Sequence, residues 1–151
     1  MGIVFLSVTK QGKSAIFNTS GNEDCHIILR GGTEPNYDAT HVEKVASELQ
    51  SSNTIPNLMI DFSHANSQKQ FKKQIDVAEN VSQQIAEGDK RIIGAMIESN
   101  LVEDRQNCSN KDDLVYGQSI TDACINWDDS FEILTKLSDA VQQRRVNLSD
   151  K

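Results

Sequence analysis

Short apolar runs and amphipathic stripes alternate three times along this chain, and that alternation limits the available folds more than any other feature. The run HIIL (26–29) ends at Arg30-Gly31-Gly32 and gives way to Val42, Val45, Ala46 and Leu49 at helical spacing, with Thr40 and Glu43 placed as a capping box. The run Leu58, Met59, Ile60 ends in Asp61, Ser63, His64 and Asn66. Phe71, Ile75, Ala78, Val81 and Ile85 then share one helical stripe, with Ser67 and Gln70 as a second capping box and Gly88 where the helix should stop. RIIGAMIES (91–99) is the third run; a polar loop of roughly 20 residues follows it, a length that in compact domains marks functional or disordered segments. Ile133, Leu134, Leu137 and Val141 mark the third helix, opened by Asp129 and Glu132. Parallel neighbours need a helix-length connection, so these three βα units predict an α/β fold with a parallel sheet and right-handed crossovers.

Ahead of them, VFLSVTKQGKSAIFN (4–18) places two β-prone runs around KQGK, a hairpin pattern. The 151 residues suffice for one ordinary domain, and 37% hydrophobic with 25% charged residues is a globular composition. A formal net charge of -7 argues against a general nucleic-acid binder or an anionic-membrane binder, because the field of the whole chain repels phosphate-rich surfaces. No apolar run approaches the roughly 20 residues that span a bilayer, and MGIVFLSVTK lacks the length and cleavage pattern of a signal peptide. The expected setting is cytoplasmic. Cys25, Cys108 and Cys124 are odd in number and widely spaced, a pattern of buried or incidental thiols and of neither a disulfide framework nor a zinc finger.

In parallel α/β folds, ligands bind at the carboxyl ends of the strands, where loops and helix N-termini converge. All three predicted strands end in chemically capable residues: Arg30 with Gly31 and Gly32, Asp61 with His64, and Glu98; the polar loop adds Asp122. Singly, each has an ordinary explanation. A histidine at a strand end is commonly a satisfied polar residue, Asp61 can cap the following helix, and Glu98 can be solvated. Together, one imidazole and two carboxylates on neighbouring loops have the composition of a divalent transition-metal site, and spacing alone leaves metal and structural roles equally open. Arg30 before Gly-Gly sets a planar cation beside exposed amides, which suits phosphate or carboxylate; a surface arginine before a turn fits as well. Phe71, Trp127 and Phe131 read as core residues, and Lys69, Lys72 and Lys73 as a solvated helix face.

The segments ILRGGTEPNY (28–37), MIDFSHANSQKQFKKQ (59–74), IIGAMIESNLVE (92–103) and YGQSITDACINW (116–127) resemble the class I 3-deoxy-D-arabino-heptulosonate-7-phosphate (DAHP) synthases, the phenylalanine-sensitive type above the tyrosine-sensitive one. That resemblance implies a (β/α)8 TIM barrel that condenses phosphoenolpyruvate with erythrose 4-phosphate, at the start of the shikimate pathway, with one divalent ion (Mn, Fe, Co or Zn). It implies that His64, Glu98 and Asp122 are metal ligands and that Arg30 contacts the phosphate of phosphoenolpyruvate. His64 and Asp61 become the expected catalytic pair; the role of Asp61, orienting His64 or a substrate hydroxyl, is inferred from its position alone. The hairpin, residues 1–20, corresponds to the family's β-insertion near an aromatic amino acid effector pocket, making Phe5, Ser7 and Phe17 candidate effector contacts; packing on the barrel serves equally well.

The family's Gly-Pro-Cys-Ser metal motif, its Lys-Pro-Arg-Thr loop and the lysine and arginine of its fourth and fifth strands have no counterpart here. Residues 21–151 therefore read as the last three βα units of a barrel that needs about 250 residues. The expected consequences are open sheet edges and an uncovered apolar face that favour association, homo-oligomers among them, and no DAHP formation by the segment alone. The alternative is a non-catalytic remnant that binds metal weakly or pairs with another synthase chain. Glu103-Asp104-Arg105-Gln106 departs from the family's common Glu-Gly-Asn-Gln.

Overall fold

The computed structural model describes residues 2–149; Met1, Asp150 and Lys151, the outermost residues of the two expected portions, lie outside the described residues. The chain opens as the expected hairpin, β1 (Val4–Val8) antiparallel to β2 (Ser14–Asn18), turned through Gly12 at φ 77°. Its register sets Phe5 opposite Phe17 and Leu6 opposite Ile16. Side chains alternate across a strand, so Phe5, Ser7, Ala15 and Phe17 share one face, and Val4, Leu6, Val8 and Ile16 the other. Neither face is closed over: Phe5 is 43% exposed on the first and Leu6 74% on the second.

Next comes a parallel sheet in the order β3 (Ile27–Leu29), β4 (Leu58–Asp61), β5 (Ile92–Met96). Helix α1 (Ala39–Ser51) connects β3 to β4, and α2 (Gln74–Ala86) connects β4 to β5. The long α3 (Trp127–Ser149) packs against α2. The α/β alternation is thus present as the apolar runs predicted. The helices bury one face of the sheet, where Leu29, Leu58, Ile60 and Ile92 meet Val42, Ala46, Val77, Val81 and Ile133. Full burial of each such aliphatic side chain contributes about 1.5–3 kcal/mol. On the other face Ile28 and Ile93 stay half exposed, and Met59 lies over Gly94 so closely that a Cβ there would meet its Cε at 3.0 Å.

Helix boundaries differ from the sequence expectation for local reasons. Asp38, not the Thr40–Glu43 box, caps α1, accepting from the backbone N–H groups of Thr40 and His41; Glu43 is drawn away to Arg91. The Ser67–Gln70 box does not form either. Ser67 donates its hydroxyl to the His64 carbonyl, Phe71–Lys73 make one 3-10 turn, and α2 begins only at Gln74. Gly88, at φ 116°, follows the last turn of α2 where a stop was expected. Asn126 accepts from the Asp129 N–H, so α3 opens before the residues assigned to its start. Trp127 and Phe131, expected in the core, are 55% and 63% exposed, whereas Phe71 packs against the core as expected. The face of α3 that meets α2 is the one carrying Ile133, Leu137 and Val141, which leaves the other two aromatics outside.

The polar loop contains more structure than its composition indicated. Two short parallel strands, β6 (Val102–Arg105) and β7 (Gln118–Ser119), pair within it. Side-chain amides substitute for missing ladder bonds: Gln106 donates to the carbonyls of Val115 and Gln118 and accepts from the Val115 N–H. Lys72 is exposed, in keeping with its reading as part of a solvated face, and is ion-paired there with Glu103 and with Asp129, the latter at 2.8 Å. Among the described residues no helix is long and apolar enough to cross a membrane.

Candidate active site

Beyond β4 the chain turns sharply. Asp61, Phe62 and Ser63 are buried, the Asp61 carboxylate accepts from the Ser63 N–H at 2.9 Å, and His64 sits in the left-handed region at φ 47°. That conformation is uncommon for a residue with a Cβ and aims the imidazole across the strand ends toward β5. There Nε2 of His64 lies 3.8 Å from Oε1 of Glu98, too far for a hydrogen bond, while the Ser63 hydroxyl donates to the other carboxylate oxygen. On its far side the ring has Nδ1 2.8 Å from Oδ2 of Asp61. The contact lacks hydrogen-bond alignment, which leaves Nδ1 a buried nitrogen with no properly formed partner.

Asp122 joins these residues on the wall of one small pocket of about 100 Å³, lined also by Ser63, His64, Lys69, Phe71 and Glu98. The space holds a few waters, or an ion with part of its hydration shell. Lys69 is the member that the sequence did not reveal. Its helical spacing with Lys72 and Lys73 made it look like part of an exposed face, but residues 64–70 are not helical, and Lys69 at φ 57° turns into the pocket rim. No local pattern signals that turn.

Arg30 is placed just past the end of β3, exposed, is not among the residues lining the pocket and has no ion pair among the described residues. Its loop is nevertheless tied to the histidine loop. Gly31 donates to the Asn36 side chain at 2.8 Å, Asn36 donates to the Asn66 side chain at 2.8 Å, and the buried Asn66 amide donates to the carbonyls of Leu29 and Asp61. Gly31, at φ 76°, is required: a Cβ would stand 2.7 Å from that of Ala65. Phe5, Ser7 and Phe17 share the hairpin face described above, with the rings of Phe5 and Phe17 stacked at 5.7 Å, and do not line the pocket. Cys124, on the segment following Asp122, is buried, and that burial pushes its thiol up; Cys25 and Cys108 are exposed.

An imidazole nitrogen facing a carboxylate oxygen, with a second acid on the same wall, fits a divalent transition ion in the kind of donors offered. The orphaned Nδ1 opposite Asp61 is also where a ligating histidine would carry its proton, donated to a carboxylate. The set is not complete: among the described residues no three His, Cys, Asp or Glu side chains converge closely enough to hold an ion by themselves.

The sequence model of the DAHP synthetase I family matches residues 2–135. The chain belongs to the DAHP synthetase I family. It is 60% identical over 141 residues to the Phe-sensitive phospho-2-dehydro-3-deoxyheptonate aldolase of Escherichia coli K12, covering 93% of this chain and 40% of that protein. It is also 60% identical over 147 residues to the phospho-2-dehydro-3-deoxyheptonate aldolase of Haemophilus influenzae, covering 97% of this chain and 41% of that one. Identity to a tyrosine-inhibited relative from Schizosaccharomyces pombe is 48% over 147 residues, 94% of this chain and 40% of that protein, in keeping with the resemblance to the Phe-sensitive type. The solved structure of the phospho-2-dehydro-3-deoxyheptonate aldolase from Francisella tularensis matches with a TM-score of 0.85 at 43% identity, over 95% of this chain and 42% of that one. This DAHP synthetase I chain thus spans about 40% of the length of the relatives it matches.

Proposed function

We propose that this chain supplies the closing βα units of a (β/α)8 DAHP synthase, with the carboxyl ends of β3, β4 and β5 forming part of the active-site rim. The observation that carries this reading is the gap between Nε2 of His64 and the Glu98 carboxylate, in a pocket that Asp122 also lines. His64, Glu98 and Asp122 would hold one divalent ion (Mn, Fe, Co or Zn), with remaining donors supplied by the part of a synthase that lies outside this chain. When bound, such an ion supplies Lewis-acid polarisation of a carbonyl. Asp61 holds the imidazole from behind, Arg30 binds the phosphate of phosphoenolpyruvate by bidentate pairing, and erythrose 4-phosphate is the acceptor. Phe5, Ser7 and Phe17 would contact an aromatic amino acid effector, a role supported by their shared face and by relatives named Phe-sensitive, tyrosine-inhibited and Trp-sensitive. A homo-oligomer in a cytoplasmic setting belongs to the same reading.

A second reading, a non-catalytic segment that pairs with another synthase chain, draws on the exposed apolar residues of the hairpin, of the open sheet face and of α3. One mixing experiment separates the two. The N-terminal portion of the E. coli relative, roughly the 60% that this chain does not match, is combined with the chain and Mn²⁺, and DAHP formation is followed. Product is expected from the mixture and from neither piece alone. No product from a mixture in which the relative's own C-terminal segment does restore activity would contradict the catalytic reading and favour the other.

A further inference from the structure

Gln74 occupies a position where an apolar residue was due. It lies on the core stripe between Phe71 and Ala78, one residue before Ile75, and its side chain is completely buried. A buried amide is costly unless paired, and this one is paired twice, with a single residue. Its Oε1 accepts from the Glu98 N–H at 2.8 Å and its Nε2 donates to the Glu98 carbonyl at 3.0 Å. The same carbonyl accepts the Ile125 N–H at 3.0 Å. Glu98 is therefore the node at which the first turn of α2 meets both the end of β5 and the segment that carries Asp122. A leucine would fill this site, yet it would leave the node without its clamp.

We infer that Gln74 is a positioning residue whose amide, by gripping both backbone groups of Glu98, sets the two pocket carboxylates against His64. The grip fixes the backbone from which the Glu98 carboxylate reaches the Ser63 hydroxyl and faces Nε2. Through Ile125 it also fixes the depth of the strand segment three residues beyond Asp122. The inference rests on the metal reading given above and adds to it a residue that touches no ion.

The test uses the whole chain, as parent, Gln74→Met and Gln74→Glu. Met keeps the volume and removes both bonds; Glu keeps an acceptor for the Glu98 N–H, removes the donor, and serves if the Met variant fails to fold. Amide hydrogen exchange in the absence of metal reads the clamp directly. In Gln74→Met the Glu98 amide should exchange at least about 10-fold faster while the Leu58 amide, bonded to the Arg91 carbonyl, is unchanged. Mn²⁺ titration followed by electron paramagnetic resonance reads the role: both variants should bind about 10–100-fold more weakly than the parent, the usual effect of losing a group that orients a ligand. A folded variant that binds Mn²⁺ within twofold of the parent overturns the inference and leaves the metal reading intact. Where the parent chain alone binds no Mn²⁺, the titration is run on its mixture with the N-terminal portion of the E. coli relative, which supplies the remaining donors. A parent mixture that binds no more Mn²⁺ than that portion alone overturns both, so the two failures are told apart by which protein shows them.

Discussion

Asp104 stands at φ 66°, where the family commonly carries glycine, and its backbone still pairs with Cys124 in both directions. A left-handed residue with a Cβ costs about 1 kcal/mol, somewhat less for aspartate. Asp104→Gly should therefore raise the stability by about 0.5–1 kcal/mol, read as a shift of a few degrees in Tm; an unchanged or lowered Tm would show the strain to be compensated. At this scale the strand-end chemistry was legible. His64 and Glu98 stood out because an apolar run that gives way to an acid or an imidazole is visible in one dimension, Asp122 as an acid of the polar loop that follows, and all three line one pocket. Lys69 and Gln74 were not legible. The first depends on the left-handed turns at Gln68 and Lys69, the second on a buried polar side chain hidden within an apolar stripe.

At the scale of elements, alternating apolar runs and helical stripes were enough to predict three strands and the helices after them, although on α3 only Ile133, Leu137 and Val141 of the expected stripe join the core and Leu134 stays 52% exposed. Their ends were not, since caps are settled by competition: Asp38 displaces Thr40, and Arg91 takes Glu43. The strands β6 and β7 are not visible in the sequence because VEDR carries three charges and β7 is only two residues long; backbone bonds from Val102 to Gly117 and from Gln106 to Ser119 join them, and the Gln106 side chain adds to these. The turn between α2 and β5 gives a prediction of its own. Burial works to raise the Asp89 carboxyl, but hydrogen bonds from the side chain and backbone of Arg91 more than offset it and hold the group below the usual carboxylate range. A carboxyl depressed in the folded state contributes stability that is complete above its unfolded pKa, about 4, and is lost as the pH falls through the lower folded value. Asp89→Asn should cost about 1–2 kcal/mol at pH 7. Its urea-unfolding stability should also decline less steeply than the parent's below pH 4; parallel curves would contradict this.

For the whole molecule, large apolar residues lie exposed on the hairpin, on the open sheet face and on α3. Val4, Leu6, Val8 and Ile16 line one exposed face of a two-stranded ribbon, Ile28 and Ile93 face out from the sheet, and Trp127, Phe131 and Leu134 recur along α3 at helical spacing. A lone hairpin is marginal in water, and β3 and β5 each keep an unpaired edge among the described residues. The isolated chain should sediment as an associated species at tens of micromolar. Replacing the cross-strand pair by Leu6→Lys with Ile16→Glu should shift it toward monomer without altering its far-ultraviolet circular dichroism; a parent that is already monomeric would contradict this. The central claim is narrower, that His64 shares one divalent ion with the acids beside it, and pulsed electron paramagnetic resonance of the Mn²⁺-loaded chain tests it most directly. The spectrum should carry the ¹⁴N modulation of a coordinated imidazole and lose it in His64→Ala, with weakened binding in Glu98→Gln; bound Mn²⁺ showing no nitrogen coupling in the parent would contradict the claim.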